Sequence, residues 1–153
     1  MLIVARFDRF ARSTRCGRSP GPNEGTRTSL FPDMTGQYCT AFPVLLHAIT
    51  NKDSIITFSN GRIHIAGHIV LTATNVLTGK TIIVNATGPA GITADGTTLR
   101  LEGRTLLFGE AGFFGPGSPP ELSAVEGLTI IDLTTGTVLQ RARNSTDLCP
   151  LLA

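Results

Sequence analysis

The chain has 153 residues, a net charge of +2, 17 Gly and 9 Pro; 41% of the residues are hydrophobic and 16% are charged. This length suits one domain with a single hydrophobic core, and the low charged fraction argues against helical bundles and coiled coils. Six of the eleven Arg lie at or before Arg27, whereas residues 36–153 carry seven basic and eight acidic side chains. Nucleic-acid binding by residues 36–153 is therefore not expected.

The first 35 residues differ in composition from the rest of the chain. Arg recurs at every third position from Arg6 to Arg18, and a segment rich in Pro, Gly, Ser and Thr follows. This pattern favours a disordered N-terminal extension. An Arg-rich targeting helix, or a mis-set start upstream of Met34, remains an alternative. The apolar run at residues 2–5 is too short for a signal peptide or a membrane span. Residues 36–153 are expected to form a single all-β domain.

Two cysteines bracket that domain. Cys39 lies near its start and Cys149 four residues before its end. A meander that closes on itself brings its ends together, which favours a Cys39–Cys149 disulfide, leaving Cys16 unpaired. Such a bridge stabilises by about 4 to 5 kcal/mol on the chain-entropy model and implies an oxidising compartment. The alternative is that all three are reduced thiols in a cytoplasmic protein.

The region between the cysteines alternates apolar and polar residues between turn signals. The turns are predicted at Asn60-Gly61, Thr78-Gly79, Asp95-Gly96 and Thr135-Gly136. Strands are predicted at 54–59, 62–74, 80–87, 97–108, 123–132 and 137–143, with a bulge or corner at Gly103. Within 62–74, the alternation predicts a core face from Ile63 to Ala73 and a largely solvated face that includes Arg62 and His64; within 80–87, it places Ile82, Val84 and Ala86 on one face. The predicted fold is all-β, an antiparallel meander that closes into an up-and-down β-barrel; a two-sheet β-sandwich is the alternative.

Four short segments resemble small exported β-rich proteins of actinobacteria that carry no assigned function. They are residues 39–43 (CTAFP), 58–62 (FSNGR), 107–109 (LFG) and 146–149 (TDLC). The resemblance implies an extracytoplasmic domain with a terminal disulfide, and it supplies no catalytic residue. An extracellular or cell-surface location follows if a leader is missing or the start is mis-set; a cytoplasmic location is the alternative.

No set of catalytic, cofactor or metal-binding residues stands out. His64 and His68 lie on one predicted strand with Cα atoms about 13 Å apart, too far for one metal ion. No Ser lies in a recognised nucleophile elbow, and a phosphate-binding loop is absent. The sequence therefore predicts no catalytic residue, no metal and no cofactor, and the oligomeric state is not predicted.

The most unusual segment is residues 106–120, here called the aromatic loop. It combines Phe108, Phe113 and Phe114 with Gly, Pro and Glu110. These four residues are the candidate contacts for a ligand or partner, and one of the two adjacent rings, Phe113 or Phe114, is expected to be buried and the other exposed. Alternatively, the rings plug one end of a barrel.

The predicted function is a non-enzymatic extracytoplasmic β-domain that binds an apolar small molecule or a surface partner through the aromatic loop. One alternative is a barrel enzyme of isomerase or cyclase type, in which Glu110 or Glu102 acts as acid or base. A structural, wall-associated module is the other alternative.

Overall fold

A computed structural model describes residues 33–153, and they form thirteen short antiparallel strands and one terminal helical turn. The elements are β1 (Met34–Gly36), β2 (Val44–Asn51), β3 (Ser54–Thr57), β4 (Ile63–Ala66), β5 (Ile69–Asn75), β6 (Thr81–Asn85), β7 (Ala90–Ile92), β8 (Thr98–Leu101), β9 (Arg104–Gly109), β10 (Glu121–Glu126), β11 (Thr129–Asp132), β12 (Val138–Gln140), β13 (Asn144–Asp147) and α1 (Cys149–Leu152). The all-β prediction is confirmed. The predictions for residues 1–32, including the unpaired Cys16, lie outside the described residues.

The strands belong to three open sheets. Their orders are β1-β2-β5-β6, β13-β10-β9 and β12-β11-β8-β7-β4-β3. Within residues 33–153 none of these sheets closes on itself, so the predicted barrel is wrong and a sandwich-like arrangement is favoured. The pairing also departs from a simple meander, because β2 pairs with β5, β4 with β7 and β8 with β11.

The barrel prediction failed because long alternating segments are divided between sheets. Residues 62–74, predicted as one strand, form β4 in the six-stranded sheet and β5 in the four-stranded sheet. The break is at Gly67, where an added Cβ would lie 2.4 Å from the Cα of Asp53. Only Gly permits this close approach of two backbones, so the chain turns here from one sheet into the other.

Gly103 marks a similar crossing. It lies between β8 of the six-stranded sheet and β9 of the three-stranded sheet, with φ at +74°. A left-handed backbone conformation of this kind favours Gly. The predicted corner at Gly103 is therefore present, but it joins two sheets and does not bend a barrel wall.

Two hydrophobic clusters replace the single core that the length suggested. Leu106 and Phe108 of β9 belong to the first cluster, with the four-stranded sheet, whereas Leu107 of β9 and Val125 of β10 belong to the second, with the six-stranded sheet. Because neighbouring strand residues point to opposite faces, the three-stranded sheet lies between the other two. Two of its strands, β9 and β10, are thus buried on both faces.

A disulfide, a buried side chain and a hydrogen bond attach the C-terminal residues to the rest of the domain. The predicted Cys39–Cys149 disulfide is confirmed, with Cα atoms 5.7 Å apart. In the same region, Leu152 is fully buried and its carbonyl accepts a hydrogen bond of 3.0 Å from the Asn75 side chain.

Within residues 33–153, no helix has the length and apolar character needed to cross a membrane.

The four predicted turns are all present, with Gly61, Gly79, Gly96 and Gly136 in the left-handed region. Four strands and the terminal helix were not predicted: β1, β2, β7, β13 and α1. Of these, β2 carries an alternating pattern, Val44 and Leu46 being fully buried and His47 exposed.

Candidate functional site

The aromatic loop does not present all its predicted contact residues to solvent. Phe108 is the buried end of β9, 3% exposed, and its ring packs edge-on against Tyr38 with centroids 5.1 Å apart. This places Phe108 in the first hydrophobic cluster. The part of the loop that reaches the surface is residues 110–120, between β9 and β10.

Phe113 and Phe114 are both half-buried and contact each other. Their rings meet edge to face, with centroids 4.9 Å apart and planes at 89°. Phe114 packs against the second cluster, and Phe113 lies so close to Gly109 that an added Cβ there would be 2.6 Å from its ring. The Phe113 N–H bonds to the Glu110 carbonyl in a turn, 3.0 Å. Because the backbone is not extended here, the expected division into one buried and one exposed ring does not occur.

The two carboxylates considered for an enzyme are exposed and lie in different places. Glu110 accepts a 3.3 Å hydrogen bond from the Gln37 backbone N–H. Burial raises the pKa of Tyr38, and the charge of Glu110 raises it further. Glu102 instead pairs with Arg100 at 3.1 Å. The barrel cavity in which either carboxylate was to act is not formed by residues 33–153.

The three histidines are also separated. His47 contacts Asp33 at 2.6 Å, and His68 contacts the Thr87 hydroxyl at 2.8 Å. Residues 33–153 contain no group of three His, Cys, Asp or Glu side chains arranged to hold a metal ion. His64 has a different environment, because it lines a groove on the six-stranded sheet.

This groove, here called the sheet groove, has a volume of about 480 Å³. It lies on the face of the six-stranded sheet opposite the second hydrophobic cluster. The strand register places five residues in a row across that face: Ile56, His64, Gly91, Arg100 and Ile130. In the middle of the row, Gly91 contributes no side chain, so a depression remains between its two neighbours.

The floor and rim of the sheet groove differ in chemistry. The backbone of β7 around Gly91 and the exposed Pro89 ring line the floor, whereas the side chains of Ala90 and Ile92 belong to the second hydrophobic cluster on the other face. The rim carries Arg62, His64, Arg100 and Glu102, together with the Phe58 ring. The guanidinium of Arg62 lies over that ring, 5.1 Å from its centroid. The groove therefore combines an apolar floor with two guanidiniums and one carboxylate, a lining typical of ligand sites.

Gly91 is the position that keeps the groove open. It lies in β7 without a left-handed backbone, and an added Cβ would meet only the Ile63 carbonyl oxygen, at 3.7 Å. A side chain at this position is thus sterically possible, and it would project into the groove.

A second depression, about 450 Å³, lies beside the disulfide. Cys39, Phe42, Pro119, Pro120 and Pro150 are among its lining residues. Its two acidic side chains already have partners: Glu121 pairs with Arg141, and Asp147 accepts a hydrogen bond from the Cys149 N–H. This depression therefore lacks an unpaired charged group directed at a ligand.

Sequence reasoning missed the sheet groove for an identifiable reason. The alternation of residues 62–74 correctly placed Arg62 and His64 on the face away from the core. Gly91 and Arg100 lie 27 and 36 residues after His64, however, and only the pairing of β4 with β7 and of β7 with β8 brings them together. No local pattern signals such a pairing.

Comparison with known proteins adds no relative. No protein-family model, no curated protein and no solved structure matches the chain. The function must therefore be argued from the site itself.

Proposed function

We propose that the protein is a non-enzymatic binding domain that holds an apolar, ring-bearing small molecule in the sheet groove. The observation that carries this proposal is the gap left by Gly91 in an otherwise continuous row of outward side chains. A volume near 480 Å³ lies within the range of about 300 to 1,000 Å³ that is usual for small-molecule sites.

The apolar floor supports a ligand with a flat or ring-shaped apolar part. Burial of such a part against Pro89, Gly91 and neighbouring backbone removes apolar surface from water, which is the main favourable contribution to binding of this kind. The Phe58 ring at the rim, 41% exposed, adds an aromatic surface against which a ring can pack.

An extracytoplasmic location is part of the same proposal. The Cys39–Cys149 disulfide supports it, because structural disulfides persist in oxidising compartments and are rare in the cytosol of mesophiles. Alkylation of free thiols in intact cells, followed by mass spectrometry, tests the location. Cys39 and Cys149 are expected to be protected, and labelling of both would overturn this part.

The binding proposal is tested with the neutral dye N-phenyl-1-naphthylamine, which fluoresces in apolar environments. We expect saturable binding, with NMR amide shifts centred on residues 62–64 and 89–93. In Gly91→Val the added side chain fills the groove. We expect dye binding to weaken by about ten-fold or more, because the Val side chain occupies the space in which the dye would contact the floor.

The same variant separates binding from folding. Val suits a strand better than Gly does, so the melting temperature of Gly91→Val should stay equal or rise slightly. Ile83→Ala is the matched control, because Ile83 is 72% exposed on another sheet and its loss should not affect dye binding. Equal binding by Gly91→Val and the native chain would refute the proposal.

The aromatic loop is a second candidate surface, since the half-exposed pair of Phe113 and Phe114 presents two rings side by side. Binding there would move the amide shifts of residues 110–117 and leave those of the sheet groove unchanged.

A further inference from the structure

The two Arg side chains of the sheet groove, Arg62 and Arg100, lie on opposite sides of the gap at Gly91. His64 and Arg100 occupy the neighbouring strands, so their Cα atoms are two strand spacings apart, about 10 Å. Arg62 lies two residues before His64, on the same face. A ligand that lies over Gly91 is therefore within reach of two guanidiniums.

Arg62 differs from most other arginines of the described region. Arg100, Arg104 and Arg141 each pair with a carboxylate. Between residues 33 and 153, no carboxylate lies within salt-bridge distance of Arg62, and its recorded side-chain partner is the Phe58 ring. Stacking on a ring fixes the plane of a guanidinium while its N–H groups stay free to donate hydrogen bonds.

A guanidinium held in this way binds planar or tetrahedral anions well, because its N–H groups match two oxygens of a carboxylate, sulfonate or phosphate. Arg100 lies across the groove and can share such an anion. The Arg100 guanidinium already donates a hydrogen bond of 3.1 Å to the Glu102 carboxylate, however, and Glu102 therefore competes with the anion for Arg100. The carboxylate of Glu102 also repels an incoming anion, so it limits the affinity without preventing binding.

We infer that the natural ligand of the sheet groove carries an anionic group, bound by Arg62 and Arg100, beside the apolar part that covers Gly91. This inference rests on the proposed function and specifies the chemical class of its ligand. Arg62 is then the main anion-binding residue, and Glu102 is the residue that weakens anion binding.

Two dyes of nearly equal shape test the inference. Anilinonaphthalene-8-sulfonate has the ring system of N-phenyl-1-naphthylamine plus one sulfonate, so the ratio of their dissociation constants measures the contribution of the anion. We expect the sulfonate dye to bind about three- to ten-fold more tightly at low salt, in keeping with one or two charge-assisted hydrogen bonds at an exposed site. This preference should shrink as salt is added.

Three variants show whether the named residues cause this preference. Arg62→Gln should abolish most of the preference for the sulfonate dye, measured as the ratio of the two dissociation constants in that variant. Glu102→Gln should increase the preference by about two- to five-fold, because it removes a nearby negative charge. Arg143→Gln is the matched control: Arg143 is exposed and outside the groove, and it likewise has no recorded carboxylate partner in the described region. It should leave both dyes unchanged.

The outcomes distinguish failure of the anion inference from failure of the binding site itself. Equal binding of the two dyes at the groove, or an equal effect of Arg62→Gln and Arg143→Gln, overturns the anion inference and leaves the apolar site standing. If neither dye binds, both proposals fail. Thermal unfolding of each variant checks that the fold is intact, and these exposed positions should leave the melting temperature nearly unchanged.

Discussion

The aromatic loop and the sheet groove use aromatic side chains in opposite ways. In the loop, Phe108 is buried and Phe114 packs against the second hydrophobic cluster, so the rings mainly close the interior. In the groove, Phe58 is 41% exposed and stacks under a guanidinium, beside a gap that no side chain fills. An aromatic residue in a turn-rich segment is thus a weak indication of binding unless a recess and unpaired polar groups accompany it.

The largest expected effect is the loss of stability when a ring of the aromatic loop, compared with one of the sheet groove, is replaced by Ala. Phe108→Ala removes a buried ring that contacts Tyr38 and should lower the free energy of unfolding by about 3 to 5 kcal/mol. Urea denaturation followed by circular dichroism measures this loss. Phe58→Ala is the counterpart in the groove, and because Phe58 is exposed its cost should be below about 1 kcal/mol. Similar losses for the two variants would contradict the contrast between the two regions.

Phe114→Ala probes the part of the loop nearest the surface. Since the ring is half-buried, we expect a cost of about 1 to 2.5 kcal/mol, roughly half that of a fully buried Phe. Binding of N-phenyl-1-naphthylamine, measured by fluorescence titration, should be unchanged. Should dye binding weaken while the melting temperature stays constant, the loop and not the groove would be the binding surface.

The smallest effect concerns two turns, one beside each region. Asp95 accepts hydrogen bonds from the Thr93 hydroxyl and from Thr97, and Asp132 accepts them from the hydroxyl and backbone N–H of Thr134. These bonds hold the pKa of both carboxyls below the ordinary 3.8. A lowered pKa in the folded state means that the stabilisation is complete above pH 3.8 and is lost as the pH falls through the folded-state pKa.

Melting temperatures measured between pH 6 and pH 2 test this linkage. Asp95→Asn and Asp132→Asn should each reduce the acid-induced fall in melting temperature by a small amount. Each carboxylate accepts hydroxyl and backbone N–H hydrogen bonds from neighbouring Thr residues, so the two effects should be similar. A fall that is as steep in the double variant as in the native chain would show that these turns contribute nothing to acid stability.

Local sequence determined the features that depend on neighbouring residues. The all-β class followed from composition and alternation, and the four turns followed from dipeptides such as Asn60-Gly61, where a positive φ favours Gly. The inward positions of Val84 and Ala86 followed from the alternation of residues 80–87. The disulfide followed from the bracketing of the domain by Cys39 and Cys149.

Tertiary structure decided how the strands are shared among sheets. Alternation is the same whether a strand continues or crosses to another sheet, so the change at Gly67 from β4 to β5 has no local signature. Without that information, alternation predicts one continuous barrel strand over residues 62–74 and another over residues 97–108. The two-sided burial of β9 was likewise hidden, because it depends on sheets packed against both faces.

The sheet groove shows the same division within a single site. The sequence by itself determined that Arg62 and His64 point away from the core, because a side-chain period of two is a property of the strand alone. Only tertiary structure decided that Gly91 and Arg100 lie beside them, because strand pairing is set by long-range packing of the sheets. The recess exists because a residue without a side chain occupies the centre of a row whose members are distant in the chain.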